Sequence, residues 1–347
     1  MKVVLFNTYN KSFLSDFFVE FSGMLSNFGH EVCIVSLKGR ASELKLDTGV
    51  TVKILKKGNK LGNLIKIYKI IKESRPDVVI SNFSLSNPAI LAAKLLGIKH
   101  NILWFHTLKA QMNFSPQSIF IKSLFMNMTT AIITNSFELK EEVASAYRQK
   151  GSKIHALPFT TSILNYEKQV LPIVKEAGKI YVGCPGRLHP DKNQGILVDM
   201  LNGAKHRGLV LCLAGKIDED IVRKHPLYNN YKDQILYLGN LNREEMVGFY
   251  EQMDVIVLPS FNESFGLVFI EAIALGANTL VSNRFGALGF VYDDFSRIVF
   301  DPQNSSDLIE KLDNVINDPL PKSYFVTLYQ HHFSLEEIIR KFISIIK

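Results

Sequence analysis

Three cysteines in 347 residues leave little room for sulfur chemistry. Cys33, Cys184 and Cys212 each sit in an apolar, strand-like run with no metal-ligand spacing, so they are expected as buried free thiols in a reducing compartment. Long apolar runs are also missing. None approaches the roughly 18 residues that a membrane-spanning helix needs. The start, Met1-Lys-Val-Val-Leu-Phe-Asn7, passes from a strand directly into polar residues, so no leader peptide is expected and the chain reads as cytoplasmic. Glycine is absent from the loop Asn7-Thr-Tyr-Asn-Lys11-Ser12 that follows the first apolar stretch. A dinucleotide fingerprint needs glycines at that turn, which argues against a nicotinamide or flavin enzyme. Acid is absent from residues 56–72, which hold six lysines and neither Asp nor Glu.

What is present begins with charge. The net +7 divides unevenly: residues 1–160 carry 21 Lys and Arg against 10 Asp and Glu, a balance of +11, while 161–347 carry 19 against 23, a balance of −4. The first half is therefore expected to face an anionic partner, either a membrane surface or a phosphorylated acceptor, and no nucleic acid. Within 56–72, Leu61, Leu64, Ile65, Tyr68 and Ile71 recur at three- and four-residue spacing and predict one apolar helix face. Such a helix can pack on a sheet with its lysines solvated, or rest on a bilayer, and the two are compatible.

The length suits two domains, and 47% hydrophobic residues supply two cores. Short apolar strands at 3–6, 32–36, 51–55, 78–81, 101–105 and 131–134 alternate with helical segments, the signal of a parallel sheet with helices on both faces. The pattern restarts at 180–184 and continues through strands at 209–214, 235–238, 255–258 and 277–282. Between the halves, 160–178 has no sustained periodicity and reads as a linker. The division predicted is 1–165, 166–325 and a closing segment 326–347, whose last helix opens at Ser334 with Glu337 three residues on, like a capping box.

The most informative stretch runs from Asp254 to Gly276. A buried strand breaks at Pro259-Ser260, turns through Asn262-Glu263-Ser264, and starts a helix near Phe265-Gly266. Backbone N–H groups from Ser264 to Leu267 would form an anion site at the helix tip. Glu263 stands before that helix and Glu271 inside it, in an otherwise apolar run where a carboxylate must be satisfied. The plain readings are a helix-dipole residue for Glu263 and a structural partner for Glu271. After the strand at 180–184, Gly186-Arg187 and Lys192 place a planar fork and a point charge on one loop, able to face a diphosphate but also common as surface charges. Asp218-Glu-Asp220 could hold a metal but is expected to open a helix, so no metal is predicted. His106 ends a strand, where functional side chains project and where surface histidines also occur. The apolar stretch Phe114 to Met128 is taken as core ahead of a pocket wall for a greasy acceptor.

Gly-Arg187, Lys192-Asn, Gly215, Leu-Gly239, Pro-Ser260 and Glu263-x7-Glu271 follow one another over about 100 residues. In this order they resemble the retaining glycosyltransferases of family 4, with their GT-B fold of two Rossmann-like α/β domains facing across a cleft. The glycine-free loop Asn7 to Lys11 departs from that family, which commonly carries a glycine pair there. The resemblance implies a retaining hexosyltransferase that uses a UDP- or GDP-linked sugar as substrate, with no metal or other cofactor. It implies catalytic roles for His106, Arg187, Lys192 and Glu263, and donor binding by Gly186, Arg187, Lys192, Gly239, Glu263, Ser264, Phe265, Gly266, Leu267 and Glu271. His106 would line the sugar, Glu263 hold its hydroxyls, and Glu271 hold the ribose. The acceptor implied is a glycan or lipid-linked glycan of bacterial surface polysaccharide synthesis, with the enzyme peripheral at the inner face of the plasma membrane. The resemblance also implies that the final segment crosses back onto the first domain. A nucleotide-sugar epimerase and a non-catalytic carbohydrate-binding module are the rival readings.

Overall fold

The computed structural model describes residues 1–10, 12–38, 40–106, 115–206 and 208–347. Lys11 of the first loop and Phe114 of the apolar stretch lie outside the described residues. The chain forms two compact units, Met1–Phe159 with Leu335–Lys347, and Thr160–Ser334.

The first unit runs β1 (Lys2–Phe6), α1 (Phe13–Asn27), β2 (Glu31–Ser36), β3 (Ser42–Lys45), β4 (Thr51–Ile54), α2 (Lys60–Ser74), β5 (Val78–Ser81), α3 (Ser86–Leu95), β6 (His100–Phe105), α4 (Pro116–Asn127), β7 (Ala131–Thr134), α5 (Phe137–Ala146) and β8 (Ile154–Ala156). Its strands form one sheet in the order β3-β4-β2-β1-β5-β6-β7-β8, parallel except for β3 against β4. The central strands are buried along their length because helices cover both faces, so they read as unbroken apolar runs. Four of its helices start where side-chain oxygens cap them: Ser12, Asn59, Ser115 and Ser136 each accept an N–H from the first turn.

Two sequence expectations change here. Helix α2 packs on the sheet, but its buried face centres on Ile67 and Ile71, while Leu61 and Ile65 remain exposed at 66% and 49%. Ile67 joins Ile71 of the predicted face in the cluster of Val4, Phe6 and Val79, with Tyr68 packed against it, so the buried face keeps part of the predicted one and loses Leu61 and Ile65. The apolar stretch ending at Met128 is not simply core. Within α4 only Met126 is fully buried; Phe120, Ile121 and Leu124 are exposed.

The second unit runs β9 (Ile180–Pro185), α6 (Ile196–Gly203), β10 (Leu209–Ala214), α7 (Tyr228–Tyr231), β11 (Ile235–Gly239), α8 (Arg243–Gln252), β12 (Val255–Leu258), α9 (Leu267–Ala274), β13 (Thr279–Ser282), β14 (Val299–Phe300), α10 (Ser305–Asn317) and α11 (Lys322–His332). The sheet is parallel in the order β11-β10-β9-β12-β13-β14. Strand order therefore reverses between β9 and β12, the point at which open α/β sheets leave a crevice beyond the carboxyl ends. Asp218 to Asp220 open no helix. They lie in a turn held by the Asp218 and Glu219 N–H groups donating to the Leu188 carbonyl.

The unit boundaries differ from the predicted ones. Residues from Thr160 onward belong to the second unit because they are packed: Thr160 hydrogen-bonds Tyr329 at 2.8 Å, Ile163 is buried, and Leu171 N–H donates to Gln252 at 2.7 Å. What reads as a linker is thus bound along α8, where a Cβ on Gly248 would overlap the Gln169 carbonyl. At the other end α11 packs on α9 within the second unit. Only α12 (Leu335–Ile345) returns to the first unit, where Phe342 meets Phe21 edge-on at 5.0 Å and lies nearly parallel to Trp104 at 6.4 Å.

Candidate active site

Three neighbouring strands of the second sheet end in glycine, and all three glycines take a positive φ. Gly186 follows β9, Gly215 follows β10 and Gly239 ends β11, with φ of 131°, 150° and 68°. Gly186 N–H donates to Ala214, and Gly215 N–H donates to the Gly239 carbonyl. A Cβ on Gly215 would overlap the Gly186 carbonyl oxygen, so the turns after β9 and β10 lie this close only because residue 215 has no side chain, whereas a Cβ on Gly186 or Gly239 would meet nothing within 4 Å and those two are favoured by their positive φ.

The loop after β9 carries Arg187 and Lys192. It is braced from inside by Gln194, 1% exposed, whose amide donates to the Arg187 carbonyl at 2.8 Å. Arg187 reaches Asp218 at 3.0 Å and keeps its side chain 65% exposed. Asp218 also binds Lys216 at 2.8 Å; the Lys216 hydrogen bond, and after it Arg187, hold its carboxyl below the ordinary range. Lys192 turns the other way and forms an ion pair with Glu263. The loops that carry this pair are also tied by backbone, Phe261 N–H donating to the Asp191 carbonyl at 2.9 Å.

Glu263 is fixed by its main chain on both sides, donating to Arg284 and accepting from Gly286. Three residues later Gly266, at φ 99°, leads into α9, and a Cβ there would overlap the Phe285 ring. The opening N–H groups of α9 have no carbonyl one turn back, which leaves donors at Leu267 and Val268 beside the positive end of the helix dipole. Phe265 is buried among aromatic rings, with Phe290 and Phe333 both at 6.3 Å, so only its backbone can serve a ligand. Ser264 and Leu267 are half-buried.

Glu271 is 6% exposed, and both its oxygens are engaged: Arg243 donates to one and the Tyr250 hydroxyl to the other, each at 2.9 Å. Burial raises its pKa even with Arg243 beside it, and burial followed by Glu271 raises Tyr250 well above the ordinary phenol. Each carboxylate oxygen retains a second lone pair that a further hydroxyl could use. Arg243, Tyr250 and Gln194 were not singled out in the sequence. The signal that could have found Arg243 is its place just after Asn242, which forms a capping box with Glu245 at the start of α8.

In the second unit, then, the structure joins Lys192 with Glu263, aligns the glycine turns, and gives Arg187 and Glu271 partners of their own. His106 lies in the first unit, at the end of β6, with its ring among Phe18, Phe83, Trp104 and Phe159. Burial, with Lys122 adding to it, lowers its pKa to about 3, so it is neutral. Cys184 and Cys212 are free thiols pushed up to about 12 by burial, which rules out a reactive thiolate at either.

Residues 16–159 match the family Glycosyltransferase Family 4, and residues 167–327 match Glycosyl transferases group 1. With these two matches the chain belongs to the group 1 glycosyltransferases, of GT-B fold. It is 30% identical over 218 residues to the D-inositol 3-phosphate glycosyltransferase of Arthrobacter sp. strain FB24, covering 55% of this chain and 48% of that one. It is 25% identical over 211 residues to the capsular polysaccharide biosynthesis glycosyltransferase CapM of Staphylococcus aureus, covering 57% and 55%. The matches thus span about half the length of these relatives. Among solved structures, Anabaena HepE in complex with UDP superposes with a TM-score of 0.73 at 15% identity, over 99% of this chain and 98% of that one. No described helix is long and apolar enough to cross a membrane.

Proposed function

We propose that this glycosyltransferase retains anomeric configuration and moves a hexose or N-acetylhexosamine from a UDP- or GDP-linked donor to a glycan or lipid-linked glycan. The carrying observation is the Lys192–Glu263 pair at the strand-order reversal, next to the tip of α9. Bacterial surface polysaccharide is the proposed context, supported by the similarity to a capsular polysaccharide enzyme.

In this reading the anomeric C–O bond breaks and its electron pair goes to the diphosphate. Lys192, Arg187 and the N–H groups from Ser264 to Leu267, with Gly186 and Gly239 leaving room for close approach, stabilise the charge that develops on the leaving group. Glu263 accepts from hydroxyls of the transferred sugar, and Glu271 from the ribose through its remaining lone pairs. The acceptor oxygen bonds to the anomeric carbon from the face the diphosphate leaves, and its proton passes to a diphosphate oxygen. The charge stabilisation comes from protein groups, so no metal is proposed. The +11 balance of residues 1–160 supports a peripheral position on an anionic membrane.

The test is a calorimetric screen of UDP, GDP and their sugars, followed by assignment of the anomeric configuration of the product. Saturable binding of one nucleotide and a retained configuration are expected. No binding of either nucleotide, or an inverted product, would end this reading. Flotation with anionic vesicles at low salt tests the membrane part separately.

A further inference from the structure

The second unit holds a cavity of about 460 Å³ that none of Arg187, Lys192, Glu263 and Glu271 lines. Its size falls within the roughly 300–1,000 Å³ of small-molecule sites. The polar groups on its walls are open to a ligand. The Asp199 side chain is 42% exposed, and His225 reaches only one of its oxygens, at 3.3 Å. His225 accepts the Leu227 N–H on Nδ1 at 3.2 Å, which leaves Nε2 to donate to that oxygen. Asn193 donates its amide N–H to the Pro302 carbonyl at 2.8 Å and keeps its amide oxygen for another group. Gln303 is exposed and Ser305 half-buried, and among the described residues neither side chain is hydrogen-bonded. Phe261 adds an apolar wall, 44% exposed and packed on no other ring among the described residues.

These walls select a class of ligand. Neither Lys nor Arg lines the cavity, so nothing there neutralises a phosphate or a carboxylate, and Asp199 repels one. The ligand is therefore not an anion. It has to offer hydroxyls to a carboxylate oxygen and two side-chain amides, and an apolar face to a flat ring. A hexopyranose presents both surfaces.

We infer that this cavity binds an uncharged hexopyranose, with its C–H face on Phe261 and its hydroxyls on Asp199, Asn193 and Gln303. Two of these residues belong to the loops that carry the ion pair. Asn193 follows Lys192, Phe261 stands two residues before Glu263, and the Phe261 N–H donates to the Asp191 carbonyl at 2.9 Å. A bound sugar thus braces both loops without touching Lys192 or Glu263, and links occupancy of this cavity to the geometry of that pair. The inference goes beyond the proposed transfer and stands on side chains that the transfer does not use.

The test is saturation-transfer NMR on the full chain with the methyl glycosides of glucose, galactose, mannose and N-acetylglucosamine, titrated into the millimolar range, with uridine as a competitor. At least one glycoside is expected to bind saturably and to stay bound when uridine is added. Phe261→Ala is expected to weaken it by about tenfold, the scale of one stacked ring, at an unchanged melting temperature. Gln303→Ala, at an exposed position, is expected to weaken it as well and serves if the first variant does not fold. Hydrogen exchange over residues 191–195 and 259–263 is expected to slow when the glycoside is bound. The inference is overturned if no glycoside binds, if uridine displaces it, or if both variants bind it as the parent chain does; unchanged exchange with glycoside bound overturns the bracing of the loops. Calorimetry with UDP and GDP on the same protein reports the donor reading separately: nucleotide binding without glycoside binding ends only this inference, and glycoside binding without nucleotide binding ends only the donor reading.

Discussion

Lys192 and Glu263 come from the loops after β9 and β12, 71 residues apart, and meet where the strand order reverses. Their side chains are 24% and 18% exposed, so the pair is only partly screened by water. A donor that takes the ammonium to its phosphates and the carboxylate to its sugar must compete with this pairing. Lys192→Gln is expected to lower turnover with the preferred nucleotide sugar by about 100-fold or more, as for other transition-state charge contacts. Initial rates on matched protein concentrations check this; a loss under about fivefold would remove Lys192 from the chemistry.

The buried Glu271 tests differently. Arg243→Ala leaves a 6%-exposed carboxylate with only the Tyr250 hydroxyl, and is expected to destabilise the fold by about 3 kcal/mol. Glu271→Gln keeps a similar shape and should cost less. Urea unfolding of the two variants measures the difference.

Gly215→Ala puts a methyl group against the Gly186 carbonyl oxygen at a backbone angle unfavourable to any side chain. A loss of several degrees in melting temperature is expected, together with weaker nucleotide binding, because the turns of β9 and β10 must part. Gly239→Ala meets no neighbouring atom within 4 Å and should cost less, through its φ of 68° alone. Thermal melts of the two variants side by side decide it.

His106 ties stability to pH. Folded, burial holds its pKa at about 3, whereas unfolded it returns to its ordinary 6.5. Above 6.5 both states are neutral at this site and its contribution is complete. As pH falls from 6.5 toward 3 the unfolded state binds the extra proton, and stability is lost at about 1.4 kcal/mol per pH unit. His30, His100 and His155 are lowered too and add in the same direction. The check is therefore a difference: His106→Phe, which preserves the ring cluster, should flatten the denaturation profile between pH 6.5 and 5 relative to the parent chain.

The periodic strands and the glycine-punctuated turns were legible because each is dictated by a few adjacent residues. Strand β3, Ser-Glu-Leu-Lys, was not, since an exposed edge strand carries no apolar alternation. Nor was the exposure of Phe120 and Ile121, because an apolar helix looks the same in sequence whether a neighbour covers it or not. The partial shift of the buried face of α2, which keeps Tyr68 and Ile71, adds Ile67 and leaves Leu61 and Ile65 exposed, has the same origin: the packing partner selects which apolar residues of the helix turn inward.

Local chemistry by itself determined the two α/β halves, the loop that carries Arg187 and Lys192, and the helix tip after Glu263, since backbone conformation and hydrophobic period act over a handful of residues. Only the tertiary structure decided that Lys192 pairs with Glu263 while Arg187 pairs with Asp218, that Arg243 and Tyr250 hold Glu271, and that Asn193 and Phe261 line one cavity. Those outcomes depend on which distant loops are brought within about 3 Å, the reach of a hydrogen bond, and on which groups folding removes from water.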